Sequence, residues 1–101
     1  MSGNRIVVVG SSNIDMIIKL RRIPLPGETI SGGRFSMAAG GKGANQAVAA
    51  ARAGGRVTFI ARVGKDLFGK TAIEDFAADG IDVGCVLKDE AAPTGTALIL
   101  V

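Results

Sequence analysis

The stretch of this chain best suited to hold a ligand is Gly40-Gly41-Lys42-Gly43-Ala44-Asn45-Gln46. Its glycines let the backbone turn sharply and let a ligand approach with no side chain in the way. The alanine-rich run Ala47 to Ala53 follows at once, with no helix breaker before Gly54, so a helix must start here. The loop therefore delivers a helix N-terminus, with its unpaired N–H groups, beside a cation (Lys42) and an amide (Asn45). That combination suits a small, oxygen-rich ligand.

A second candidate is Gly10-Ser11-Ser12-Asn13-Ile14-Asp15, just after the first apolar strand. In open α/β sheets, ligands bind outside the carboxyl ends of the strands. Asn13 and Asp15 are two apart, so in an extended segment their side chains share one face. An amide and a carboxylate side by side can grip adjacent hydroxyls. Either residue alone reads more simply as an Asx-turn ending the strand. Taken with the glycine loop, the pair reads as a polyol site.

Two nucleotide motifs fail on spacing. A phosphate-binding P-loop needs Gly where Ser36 stands and Ser or Thr where Gly43 stands. The dinucleotide fingerprint needs Gly where Gln46 stands. A purely structural alternative is a loop that needs glycine only to pack a helix on a sheet. Gly64-Lys65-Asp66-Leu67-Phe68-Gly69 reads as a helix start, with Asp66 as N-cap and no function beyond that. Cys85 reads as a small core filler.

The elements that must position these residues follow from periodicity. Ile6 to Gly10 is a β-branched run of the kind buried on both faces of a parallel sheet. Asp15 to Leu20 reads as a second strand, punctuated by Pro24 and Pro26-Gly27. Glu28 to Ser31 and Arg34 to Ala38 read as two strands of a hairpin turning at Gly32-Gly33. A helix is expected from Gly40 to Ala53, closed by Gly54-Gly55, and a buried strand from Val57 to Gly64. A second helix runs from Asp66 to about Asp79, with Gly69, Ala72, Ile73, Phe76 and Ala77 as its apolar stripe and Gly80 as its stop. Asp82 to Leu87 is a short strand, Lys88 to Pro93 a polar loop, and Thr96 to Val101 a last strand.

The alternation of strand and helix predicts an α/β fold with a parallel sheet. Residues 16–38 break the alternation and read as a small separate sheet, in which Met16 and Met37 pack. The run Ala97 to Val101 stops inside an apolar strand, from which we expect the N-terminal piece of something longer.

Composition narrows the function classes. The chain has 101 residues, 48% hydrophobic and 21% charged, enough for one small globular core. No apolar run reaches the roughly 20 residues of a membrane helix, so no membrane role is expected. Met1 to Arg5 leads straight into a strand without a signal peptide, and the lone Cys85 permits no internal disulfide; both suit the cytoplasm. The absence of His argues against a zinc site. The net charge of +3 centres on Lys19-Leu20-Arg21-Arg22 and is not interleaved with aromatics, which argues against nucleic-acid binding.

Four stretches together resemble the N-terminal third of the ribokinase family of carbohydrate kinases, a family that also holds B-type phosphofructokinases, fructokinases and adenosine kinase. Val9 to Asp15 is similar to the family's first strand and sugar-binding turn, and Pro26-Gly27-Glu28-Thr29 to the approach to its lid. Gly40 to Ala47 is similar to its first signature, and Val63 to Gly69 to the segment beyond. The order is collinear over essentially the whole chain. Lys42 sets the sequence nearest the ribokinase branch.

The resemblance implies part of a three-layer αβα sandwich with a mainly parallel sheet over residues 1–101. It also implies an inserted lid at 16–38, to which 96–101 returns. It implies D-ribose as substrate, phosphorylated at its 5-hydroxyl by MgATP, with Asn13, Asp15, Gly41, Lys42, Gly43 and Asn45 at the sugar. A monovalent cation and a homodimer formed through the lid are further implications for a full-length enzyme. No residue of this chain is expected to bind the nucleotide or metal, because the Gly-Ala-Gly-Asp type motif that supplies base and anion hole is absent. These residues alone are therefore expected to be inactive. The alternatives are a kinase for another sugar or a nucleoside, and a stand-alone module that dimerises through its small sheet.

Overall fold

The computed structural model describes residues 5–101. In chain order it contains β1 (Arg5–Val9), β2 (Asn13–Lys19), β3 (Arg34–Gly40), α1 (Lys42–Arg52), β4 (Arg56–Gly64), α2 (Leu67–Ala78), β5 (Val86–Asp89) and β6 (Gly95–Leu100). These form two three-stranded sheets, ordered β1-β4-β5 and β3-β2-β6.

The first sheet is parallel throughout. Ile6 lies opposite Val57 and Val8 opposite Phe59, while Ala61 lies opposite Val86. Alternation along β4 sends Val57, Phe59 and Val63 to one face, where all are buried. Ala44 and Ala47 of α1 and Phe76 of α2 pack onto that face and complete the core. Phe59 and Phe76 meet edge to face, ring centroids 5.3 Å apart. Small alanines let α1 lie close to the sheet, and the two phenyl rings fill the space beneath α2.

The opposite face of this sheet carries Val7, Val9, Ile60 and Leu87, all exposed. The expectation that β1 is buried on both faces is thus corrected. β1 is an edge strand of this chain, and among the described residues no helix covers its outer face. Its continuous apolar run is what a parallel sheet covered on both sides needs, but this chain brings helices to one side.

In the second sheet, β2 is the centre. β3 runs antiparallel to it and β6 parallel. The hairpin expected at Gly32-Gly33 does not form: Glu28 to Ser31 is irregular, and the partner of β3 is β2, reached across residues 20–33. The connection is closed instead by Arg22, whose guanidinium donates to both carboxylate oxygens of Glu28 at 2.5 Å, while Leu25 and Glu28 exchange hydrogen bonds. A local clasp has replaced a turn.

α1 starts at Lys42, two residues later than expected, with Gly41 as its N-cap. α2 starts after Asp66, whose side chain accepts from the Gly69 N–H at 2.8 Å. Ala77, expected on the α2 stripe, is exposed; Phe76 alone fills the space beneath that turn. The last strand of the first sheet is Val86–Asp89 rather than Asp82 to Leu87. Asp82 makes only an isolated bridge to Thr58, and a turn closed by Val86 N–H on Val83 C=O intervenes. Cys85 sits on that turn and is exposed, not in the core. Met16 and Met37 are cross-strand partners, although Met37 is 45% exposed.

Candidate functional site

Strand alternation places Asn13, Asp15 and Ile17 on one face of β2 and Ile14, Met16 and Ile18 on the other. On the first face, Asn13 is flanked by Gly40 and Gly95, and Asp15 by Ala38 and Ala97. No cross-strand neighbour of the pair is larger than a methyl group. The result is a shallow dish with an amide and a carboxylate on its floor. Asn13 Nδ2 donates to Asp15 Oδ1 at 2.7 Å. That bond fixes both side chains and leaves Asp15 Oδ2 and Asn13 Oδ1 as acceptors beside the second Nδ2 hydrogen.

Gly40 borders this pair directly. A Cβ built there would lie 2.6 Å from Asp15 Oδ2 and 2.7 Å from Asn13 Nδ2. Gly41 follows at φ 99°, a backbone state that side chains disfavour, and a Cβ there would meet Ser11 O at 2.6 Å. Gly43 and Gly10 touch backbone to backbone, since a Cβ on Gly43 would lie 2.7 Å from Gly10 Cα. Ala44 N–H donates to Ser11 C=O at 3.0 Å. These contacts explain the glycine spacing: the first turn of α1 is pressed onto the segment that joins β1 to β2.

The structure therefore brings Asn13, Asp15, Gly41 and Gly43 into one contiguous region. Lys42 opens α1 two residues beyond the glycine under Asp15. It is exposed and forms no ion pair among the described residues. Asn45 lies one turn on and lines a groove of about 610 Å³ between α1 and α2, with Val48, Arg52, Asp75 and Asp79. Asn13 lines a smaller neighbouring cavity of about 180 Å³, with Ala38, Phe68, Thr71 and Thr94. Ala39 and Asp75 border both.

A residue that sequence reasoning missed stands at the edge of this region. Thr94 is 4% exposed, immediately before β6. Its hydroxyl donates to Asp66 Oδ1 at 2.7 Å and its N–H to Asp66 Oδ2 at 2.9 Å. The same hydroxyl accepts from Gly64 N–H at 2.9 Å. These donors, first the Thr94 N–H, then the Gly69 N–H and the Thr94 hydroxyl, hold the Asp66 carboxyl below the usual range. Asp66 is more than a helix cap. No periodicity points to Thr94; the only signal is a lone Thr between Pro93 and Gly95. Upstream, the N–H groups of Ala92 and Ala91, together with the Arg62 guanidinium, lower Asp89 to about 2.

Among the described residues no three acidic, His or Cys side chains gather as a metal cage. The glycine loop lies against Ser11 and Gly10 rather than around an open cradle. The described residues thus do not fit a nucleotide with its magnesium, and no chemical step is assigned to them through that group.

Known proteins share the sequence pattern and the fold. Residues 4–101 match the pfkB family carbohydrate kinase description. The chain is 46% identical to the ribokinase of Haemophilus influenzae, over 95% of this chain and 31% of that protein. It superposes with TM-score 0.88 on the ribokinase of Giardia lamblia, at 38% identity over 94% of this chain and 31% of the other. It superposes with TM-score 0.83 on the Arabidopsis thaliana ribokinase complexed with ribose and ATP, at 38% identity over 93% of this chain and 31% of the other. The chain thus spans about a third of these relatives. On the match along its length and on the fold, this chain belongs to the pfkB family of carbohydrate kinases.

Proposed function

We propose that residues 1–101 are the sugar-binding N-terminal portion of a ribokinase-type kinase that phosphorylates D-ribose at O5 with MgATP. The observation that carries this reading is the Asn13–Asp15 hydrogen bond among cross-strand neighbours that are all Gly or Ala. Neighbouring hydroxyls of a pentose can donate to Asp15 Oδ2 and accept from Asn13 Nδ2. Lys42, Gly41, Gly43 and Asn45, at the start of α1, add an ammonium, backbone N–H groups and an amide for the remaining hydroxyls. The ribose named in the Arabidopsis relative's complex supports that sugar. The second sheet acts as a lid, excluding water while the sugar is held in position. The base, the nucleotide site and its cations belong to parts of the enzyme beyond these residues, so residues 1–101 alone transfer no phosphate.

In the full-length protein, Asp15→Ala is expected to raise the KM for ribose at least tenfold, about 1.4 kcal/mol, and to leave the KM for ATP within twofold. Equal loss of both would contradict the reading, as would ribose 5-phosphate formation by residues 1–101 alone.

One observation favours a second reading. Ile18, Phe35, Met37, Leu98 and Leu100 share the other face of the second sheet and are 39–75% exposed. A patch of this kind suits contact with another copy of the chain, which makes a homodimer through this sheet part of the proposal. On the alternative reading, this assembly is the chain's whole function. Size-exclusion chromatography with ribose calorimetry separates the two: a dimer blind to sugar supports assembly alone.

A further inference from the structure

The chain passes between its two sheets three times: at residues 10–12, at Gly40-Gly41, and at residues 90–94. The first two passages are held against each other by backbone contact, Gly10 on Gly43 and Gly41 on Ser11. The third also rests on backbone, since a Cβ on Gly64 would lie 2.6 Å from Pro93 C and would strike Thr94 N. It is tied by side chains as well, through the two bonds from Thr94 to Asp66 and the bond from Gly64 N–H to the Thr94 hydroxyl. Asp66 thereby ties three elements at one point: the end of β4, the start of α2 and the start of β6.

The next residue carries that anchorage into the candidate site. Gly95 is the cross-strand partner of Asn13, and a Cβ on Gly95 would lie 3.3 Å from Asn13 Cβ. Asn13 in turn holds Asp15 at 2.7 Å. A shift of Thr94 therefore moves the wall against which Asn13 rests, and with it the carboxylate.

We propose that Asp66 and Thr94 are positioning residues for the sugar site: they lock the start of β6 and so set where Asn13 and Asp15 stand. Its consequence for catalysis rests on the ribose-kinase reading above; the mechanical coupling does not. A helix cap alone accounts for the Gly69 N–H but not for the two bonds to Thr94, which is 28 residues away.

Three variants of the full-length protein test this. Thr94→Val deletes the hydroxyl, Thr94→Ser keeps it, and Asp66→Ser keeps a cap for α2 but is too short to reach Thr94. In the ligand-free protein, the Asn13 side-chain amide signal in NMR is expected to move in Thr94→Val and Asp66→Ser and to return in Thr94→Ser. In kinetics, Thr94→Val and Asp66→Ser are expected to raise the ribose KM about tenfold with the ATP KM within twofold, and Thr94→Ser to restore it. Should Thr94→Val fail to fold, Asp66→Ser carries the test. An unmoved Asn13 signal, or an Asp66→Ser variant with the parent ribose KM, overturns the proposal. A parent protein that phosphorylates no sugar defeats the ribose reading instead, and the Asn13 signal still decides the coupling.

Discussion

The two sheets draw on similarly apolar strands and bury them to opposite degrees. Phe59, at the centre of the first sheet, is fully buried against α1 and α2, while Phe35 of the second sheet is 58% exposed. The first sheet is held by a core, the second by strand pairing and by three passages of chain. The radius of gyration of 16.2 Å, against about 13 Å for a compact domain of 100 residues, reflects a second sheet that reaches away from the core. A body that carries the stability can present an outlying sheet whose one face sets Asn13 and Asp15 among Gly and Ala neighbours. Low burial leaves that sheet the less firmly held of the two.

The largest expected effect sharpens this contrast. Phe59→Ala should destabilise the protein by about 3–5 kcal/mol, whereas Leu98→Ala, at a position 75% exposed, should change stability by less than about 0.5 kcal/mol. Urea midpoints of the two variants check this, and similar losses would break the comparison.

Next comes Gly43→Ala, whose methyl would strike backbone atoms of Gly10 and Ser11 that cannot swing aside. A loss of about 1–3 kcal/mol is expected from such overpacking, read from the same midpoints. Gly40→Ala should behave differently, because its methyl meets the ends of two side chains. Here the urea midpoint is expected to stay near the parent's, while calorimetric affinity for ribose falls about tenfold or more as Asn13 and Asp15 are pushed apart. A stability loss as large as that of Gly43→Ala would show Gly40 to be part of the body.

The smallest effect is acid loosening. Asp66 and Asp89 titrate below the ordinary aspartate value of 3.8 in the folded protein, Asp89 at about 2. The unfolded chain therefore binds more protons between these values. The contribution of Asp89 is complete above pH 3.8 and is lost as pH falls toward 2, and that of Asp66 is lost in the same direction as pH falls below 3.8. Both bind the segment that leads into β6, so hydrogen-exchange protection, taken against the intrinsic rate at each pH, should fall first in β6 and last in β4 as the pH is lowered. A uniform fall in protection would show that acid acts on the whole fold at once.

Both helices were legible because their signals are local: the alanine run between glycines, and Asp66 three residues before the N–H it caps. The glycine loop was legible for the same reason, as a backbone demand made by adjacent residues. What was not legible depends on distant partners. Nothing in Arg34 to Gly40 says that its partner is β2 rather than Glu28 to Ser31, and the Arg22–Glu28 clasp that closes the intervening chain has no periodicity. Thr94 was invisible because its importance arises only when Asp66, 28 residues upstream, arrives beside it. The exposure of β1 was misread because its composition suits a neighbour on each side, while these residues supply helices on one.

The meeting of Gly10 and Gly43 has a mechanical consequence. Where two main chains rest directly on one another, there is no pliant side chain to absorb a small rotation. A tilt of the helix that opens at Lys42 therefore bears directly on the segment that leads into Asn13 and Asp15. The candidate groups on either side of that contact share a single rigid fulcrum.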